Sequence, residues 1–223
     1  MKERPILFSA PMVRALLAGT KTQTRRIVKP QWPTDVVDVS ERPALDPVLK
    51  CVVSGHSGEW EDEHSLDEVR RCPYGQSGDQ LWVKETHQIL NPRTDAVLPA
   101  KPQPGVCVLA FAADERSRFE THSGHLFDGP WRPSIFMPRW ASRIQLEITG
   151  IRVERLNDIS EADASAEGLS FDTDRIGYWS GTGDKWWNSA REAYADLWVS
   201  INGAGSWTVN PWAWVIEFRR IKP

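Results

Sequence analysis

The segment Gly19-Thr20-Lys21-Thr22-Gln23-Thr24-Arg25-Arg26 gathers an amine, three hydroxyls and two guanidinium groups in one short stretch. The ordinary reading of such a cluster is a cationic strand edge, and it is not a P-loop, because the Gly-x-x-x-x-Gly-Lys-Ser/Thr pattern is absent. Its setting favours chemistry. It lies between a helix and a strand, where Lys21 and Thr24 can converge on one pocket. A lysine desolvated in a cleft beside Arg25 or Arg26 has a lowered pKa, and its neutral amine can act as a base. Glu85, in Trp82-Val83-Lys84-Glu85, is a second carboxylate. It reads equally as pocket support or as an ion-pair partner of Arg25 or of the strand neighbours of Lys84. Arg139 and Arg143 flank Trp140 and suit a phosphate or ribose, or a salt-bridged strand start. Cys51, His56, His64 and Cys72 lack the closely spaced Cys pairs of structural zinc sites, and His122 and His125 are weaker still, so no metal is expected.

Local signals place these groups on elements. Ser9 is positioned to cap a short helix that carries Pro11 and stops at Gly19, with a strand following from Thr20 to Val28. Leu81-Trp82-Val83 begins a strand running to about His87, and residues 107–112 read as a short buried strand. From Ser142 to Val153, Ile144, Leu146 and Ile148 alternate with Arg143, Gln145 and Glu147, which predicts a half-buried antiparallel strand. Ser160 opens a short helix with Asp163 in the acidic capping-box position, Glu167 in its last turn and Gly168 as its stop. A second helix is predicted over about Lys185 to Ile201, with Trp187, Ala190, Tyr194, Leu197, Trp198 and Ile201 on one stripe. A final strand, Trp212 to Arg219, turns Trp212, Trp214, Ile216 and Phe218 to one side. Strands joined by irregular loops with few short helices predict an α+β chain built on a small mixed barrel. One domain is expected, with insertions at about 31–77, 88–135 and 170–186.

The whole chain has 223 residues, enough for a sizeable core, and 27 Lys+Arg against 30 Asp+Glu give a net charge of −3. Coating nucleic acid by bulk electrostatics is therefore disfavoured. Charge is uneven, however: residues 1–30 carry seven Lys/Arg against one acid, whereas residues 34–71 carry ten acids against four Lys/Arg. No apolar run approaches the roughly 20 residues needed to span a bilayer, and Arg14 interrupts the N-terminal apolar stretch. Three widely spaced cysteines fit a reducing compartment. A cytoplasmic protein with no membrane partner is expected. Tryptophan is over-represented, with 12 Trp against 7 Phe and 3 Tyr. Trp82, Trp198, Trp212 and Trp214 fall at packing positions, whereas Trp32, Trp60, Trp131, Trp179 and Trp186 lie in or beside the insertions and are free to shape a pocket. Trp140, Trp187 and Trp207 fit either group.

Four segments, taken in order, resemble the ASCH domain, a PUA-like β-barrel. They are Leu17 to Arg26, Gly78-Asp79-Gln80-Leu81-Trp82-Val83-Lys84-Glu85, Ile159 to Gly168, and Trp214-Val215-Ile216-Glu217-Phe218. Cys72–Gly75 and Met137–Arg143 are similar to segments of larger members found in phages and prophages. The resemblance implies a cleft suited to a nucleotide or RNA. A small bacterial branch of the family hydrolyses N4-acetylcytidine with a Lys, a Thr and a Glu, which fall on Lys21, Thr24 and Glu167, with Glu161 as the nearby competitor for the last role. This chain is about twice as long as members of that branch.

The implied reaction is deacylation of an N4-acylated cytidine without metal or organic cofactor. Lys21 would take the Thr24 proton, Thr24 would attack the acyl carbonyl, and Glu167 would help the ring amine leave; water activated by Lys21 or Glu167 is the variant nucleophile. Arg25, Arg26, Glu85, Trp82 and Arg139 are expected to border the small nucleoside substrate. The rival expectations are an RNA-binding module contacting phosphates through Lys21, Arg25, Arg26 and Arg139, and a ribonuclease using the same basic cleft.

Overall fold

Capping and alternation signals locate the main helices and strands, while several boundaries fall elsewhere. In a computed structural model the described residues are 1–32, 38–41, 49–52, 69–91, 108–114, 130–179 and 185–221. Strand β1 (Glu3–Leu7) leads into helix α1 (Ala10–Ala18), and β2 (Gln23–Ile27) follows. Next come β3 (Asp38–Glu41), β4 (Leu49–Val52) and β5 (Val69–Arg70), which form a small antiparallel sheet. β6 (Gln80–Lys84) precedes the antiparallel pair β7 (His87–Leu90) and β8 (Val108–Phe111). The long strand β9 (Gln145–Arg155) is followed by helix α2 (Glu161–Ala166). A third small sheet holds β10 (Ser170–Asp172), β11 (Gly177–Trp179) and β12 (Trp186–Trp187). Helix α3 (Ala190–Asn202) and strand β13 (Trp212–Ile221) close the chain.

The principal sheet has the order β1-β6-β9-β13-β2, parallel only between β1 and β6. The architecture is thus α+β with few, short helices, as the alternating patterns indicate. Closure differs from expectation: among the described residues no sheet closes into a barrel. The sheet is nevertheless strongly curled. Four strand-to-strand steps of about 4.8 Å would separate its edges by about 19 Å if it were flat. Yet Arg26 on edge strand β2 donates a hydrogen bond of 2.6 Å to the Leu7 carbonyl on edge strand β1.

One face of this sheet supplies the main apolar core through Leu81, Val83, Leu146, Ile148, Trp214 and Ile216. A second cluster joins α2 and α3 through Leu156, Ile159, Ala164, Tyr194, Leu197 and Trp198. Met12 on α1 packs against both. The candidate site residues lie at the seam between them. No helix among the described residues is long and apolar enough to cross a membrane.

Several sequence expectations need correction. α3 starts at Ala190 rather than Lys185, because Ser189 is its N-cap and accepts a hydrogen bond from the Glu192 N–H at 3.1 Å. Trp187 consequently lies in β12, opposite Tyr178. Ser9 occupies the N-cap position of α1 but makes no side-chain cap bond. β6 ends at Lys84, and His87 belongs to a different pair, opposite Phe111. β9 begins at Gln145 because the Ser142 hydroxyl is turned back to the Val83 and Ile144 carbonyls. Trp198, Trp212 and Trp214 are buried as expected, but Trp82 is only half-buried, on the side of β6 away from Leu81 and Val83. Trp32 is buried and meets Trp212 edge-on at 5.8 Å.

Candidate functional site

Two turns bring Lys21 and Glu167 together. α1 ends at Gly19, whose φ of 80° reverses the chain so that the Thr20 and Lys21 N–H groups both bond the Ala15 carbonyl. α2 ends at Glu167, followed by Gly168 at φ 94°. The two chain ends then form an antiparallel bridge at Lys21 and Glu167, and the Thr22 N–H bonds the Ala166 carbonyl. The backbone thus fixes both side chains before they meet. Lys21 Nζ donates to the Glu167 carbonyl at 2.7 Å and to Glu167 Oε2 at 2.8 Å, with the Lys21 side chain fully buried. Burial pulls the Lys21 amine below its ordinary value of 10.5; Glu167 opposes this, while Arg26 and Arg25 add to it.

Thr24 and Arg25 come from β2, adjacent to β13, with Thr24 opposite Ile216 and Arg25 opposite Val215. Both are buried. Arg25 is held by Glu154 at 3.0 Å and Asp163 at 3.3 Å, and its Nη1 stands 3.6 Å from Glu167 Oε1. Arg152 braces the same Asp163 at 3.1 Å and also pairs with Glu154 and Glu217. This network fixes the guanidinium from the far side. Arg25 Nη1 and Glu167 Oε1 are both buried without hydrogen-bond partners. Arg25 and Glu167 line a cavity of about 60 Å³ together with Thr24 and Tyr194. Burial holds the Tyr194 phenol well above its usual range, and the Glu167 charge adds to the effect.

The competition between the two α2 glutamates is resolved by their partners. Glu161 Oε2 accepts from the Ala190 and Arg191 N–H groups, so it satisfies the open start of α3. Glu167 alone of the pair reaches Lys21. Asp163 does take its capping-box place, with Ser160 Oγ accepting from its N–H at 3.1 Å, but its carboxylate is directed to Arg25 and Arg152.

The remaining sequence candidates are dispersed. Arg26 lines the small cavity and lies over the Phe8 ring at 5.4 Å. Glu85 is buried in a separate cluster, where Arg143 grips it at 2.9 and 3.0 Å and also pairs with Asp114. Burial raises the Glu85 carboxyl above its ordinary value, against the pull of Arg143. Arg139 pairs with Glu3 at 2.9 Å and lies 5.8 Å from the centre of the Trp82 ring, away from the cavity walls around Thr24. Of the Cys/His set only Cys72 has a described side chain; it is buried, with its thiol pushed up to about 11 by burial. Cys51, His56 and His64, with Trp60, His122 and His125, lie outside the described side chains.

Sequence reasoning missed Tyr194, Asp163 and Glu154 as site residues. Tyr194 was legible as a member of the α3 stripe, but its hydroxyl gives no signal of its own. Trp179 answers the question of which loop tryptophan approaches the site: it lines a cleft of about 560 Å³ that Glu167 also borders, and it stacks on Trp186 at 6.4 Å. Trp140 is exposed, Trp187 faces the Lys185 amine at 3.6 Å, and Trp207 packs edge-on to Tyr194. Compared with known protein families, curated proteins and solved structures, the chain has no match.

Proposed function

We propose that the protein is an amidohydrolase of the ASCH type, on a PUA-like scaffold, that removes acyl groups from the N4 amine of cytidine-like nucleosides. The observation that carries this reading is the buried Lys21–Glu167 pair, with Thr24 lining a cavity beside Glu167 and with Arg25 Nη1 and Glu167 Oε1 ion-paired at 3.6 Å but making no hydrogen bond. An amide presents the complementary pair: its N–H suits Glu167 Oε1 and its carbonyl suits Arg25 Nη1. Neutral Lys21 takes the Thr24 proton as Thr24 Oγ bonds to the acyl carbon. Arg25 Nη1 is placed to steady the oxyanion. The C–N bond then breaks and the ring amine leaves with a proton delivered through Glu167. Water hydrolyses the threonyl ester, releasing the carboxylic acid and restoring Thr24. Apart from the hydrolytic water, these steps use only groups of the chain.

The test is incubation of the purified protein with N4-acetylcytidine and its longer and aromatic acyl analogues, monitored for cytidine and free acid. Absence of cytidine release from every substrate rejects the proposal. The state of Lys21 adds a pH prediction. Because its folded pKa lies below 10.5, the neutral amine forms at lower pH than in free lysine. Activity should rise with pH through that folded pKa and level off below pH 10.5, as a pH profile of kcat/KM will show. Between the folded pKa and 10.5 the unfolded chain binds more protons, so stability should also rise with pH in this window.

A second reading rests on a different observation. A cleft of about 590 Å³ is lined by Arg26, Lys29, Arg71, Tyr74 and Trp214, with no acidic residue among the described residues of its wall, and it adjoins the small cavity at Arg26, Ile27 and Asn202. Such a surface suits the phosphates of RNA, with the protein acting as a binding module or a nuclease. Binding of a labelled RNA that weakens steeply with salt, without deacylation, supports the module; strand breaks support the nuclease.

A further inference from the structure

The 560 Å³ cleft lies between α1, the start of β10, β11 and α3, and its walls are largely apolar, including Pro11, Met12, Ala15, Leu169, Trp179 and Leu197. Its size falls within the roughly 300–1,000 Å³ of small-molecule sites. It adjoins the small cavity at Glu167: Met12, Glu167, Leu197 and Ile201 line both. The one guanidinium among the described residues of its wall, Arg14, donates to the Ala113 carbonyl at 3.5 Å. A ligand whose amide occupies the small cavity beside Glu167 therefore has an apolar compartment on one side of Glu167. On the other side it has the basic cleft, reached past Arg26, Ile27 and Asn202. With the sugar of a nucleoside in the basic cleft, the acyl group would be directed into the apolar one.

Resting on the amidohydrolase reading, we infer that the apolar cleft is the acyl subsite and that the preferred substrates carry an extended aliphatic or aromatic acyl group rather than acetyl. A methyl group would fill only a small part of this space. Each further methylene buried favours binding by roughly fourfold, if the cleft holds it in the transition state as well.

The experiment compares kcat/KM of the whole protein for N4-acetyl-, N4-hexanoyl- and N4-benzoylcytidine. Hexanoyl and benzoyl substrates should exceed acetyl by about tenfold or more. Ala18→Trp, at an exposed rim position of the cleft, should lower the hexanoyl-to-acetyl ratio by filling the space. Equal values for the three substrates, or a preference for acetyl, overturn the acyl subsite but leave the amidohydrolase reading standing. A ratio unchanged by Ala18→Trp removes the cleft as its origin. No turnover of any of the three overturns the underlying reading and the inference with it.

Discussion

Glu167→Ala should reduce deacylation by about a thousandfold, within the range expected for losing a positioned acid or base, and should destabilise the fold by about 3–5 kcal/mol. Both losses have one origin. Lys21 Nζ bonds the Glu167 carboxylate and is fully buried, so truncation leaves an ammonium with only the residue 167 carbonyl for a partner. Arg25 Nη1 loses its neighbouring charge as well. The amine should respond by losing its proton, which softens the stability loss without restoring catalysis. Glu167→Gln separates the two effects. It keeps the volume and an acceptor for Lys21, so it should unfold at a urea midpoint nearer that of the wild type while remaining catalytically impaired. Replacing the pair with apolar residues, Lys21→Met with Glu167→Leu, should recover stability relative to Glu167→Ala, since a buried ion pair adds little net stability over a packed apolar one. Turnover should stay absent. Urea unfolding and release of cytidine are the two measurements, and wild-type turnover in Glu167→Ala would remove the carboxylate from the mechanism.

The sequence carried local geometry well and spatial convergence poorly. Pro11 and Gly19 bracketed α1, and the alternation of Ile144, Leu146 and Ile148 marked β9, because each signal acts within a few residues. The Lys21–Glu167 contact spans 146 residues. Composition and spacing cannot supply it, and only the family resemblance pointed there. That resemblance left Glu161 as an alternative because two carboxylates on one short helix look alike in sequence. Their partners differ: one caps α3 and the other meets an ammonium. Glu85 illustrates the converse. Its motif read equally as pocket support or as an ion-pair member, and the Arg143 guanidinium, 58 residues away, bonds both its oxygens. The start of α3 was misplaced because the tryptophan stripe extends past the helix to Trp187, while the Ser189-x-x-Glu192 cap that limits it was overlooked. Barrel closure, finally, depends on which strands meet at the edges. In the described residues a single side-chain bond from Arg26 to Leu7 spans them, without a strand ladder.

Gly168→Ala should be damaging for a reason unconnected with any functional group. The residue has φ 94°, where a side chain is strained, and an added Cβ would stand 2.8 Å from the Ala15 Cβ and 2.9 Å from the Lys21 Cβ. Neither neighbour is the free end of a flexible chain. The Ala15 Cβ is fixed to α1, and the Lys21 Cβ is held where its backbone bridges Glu167. Backbone strain and overpacking together should cost about 2–5 kcal/mol. Relief requires α2 and its Glu167 end to move away from α1, which lengthens the Lys21–Glu167 contact and separates Glu167 from Thr24. Turnover should fall with stability. Gly203→Ala supplies the comparison, since Gly203 has nearly the same φ, 93°, but nothing within 4 Å of an added Cβ. It should show only a backbone term, about 1–3 kcal/mol for its φ of 93° and ψ of 166°, and retain turnover. Chemical unfolding and deacylation rates of the two variants therefore divide conformational strain from crowding. Equal losses in both would show that the close packing of Gly168 against Lys21 does not govern the site.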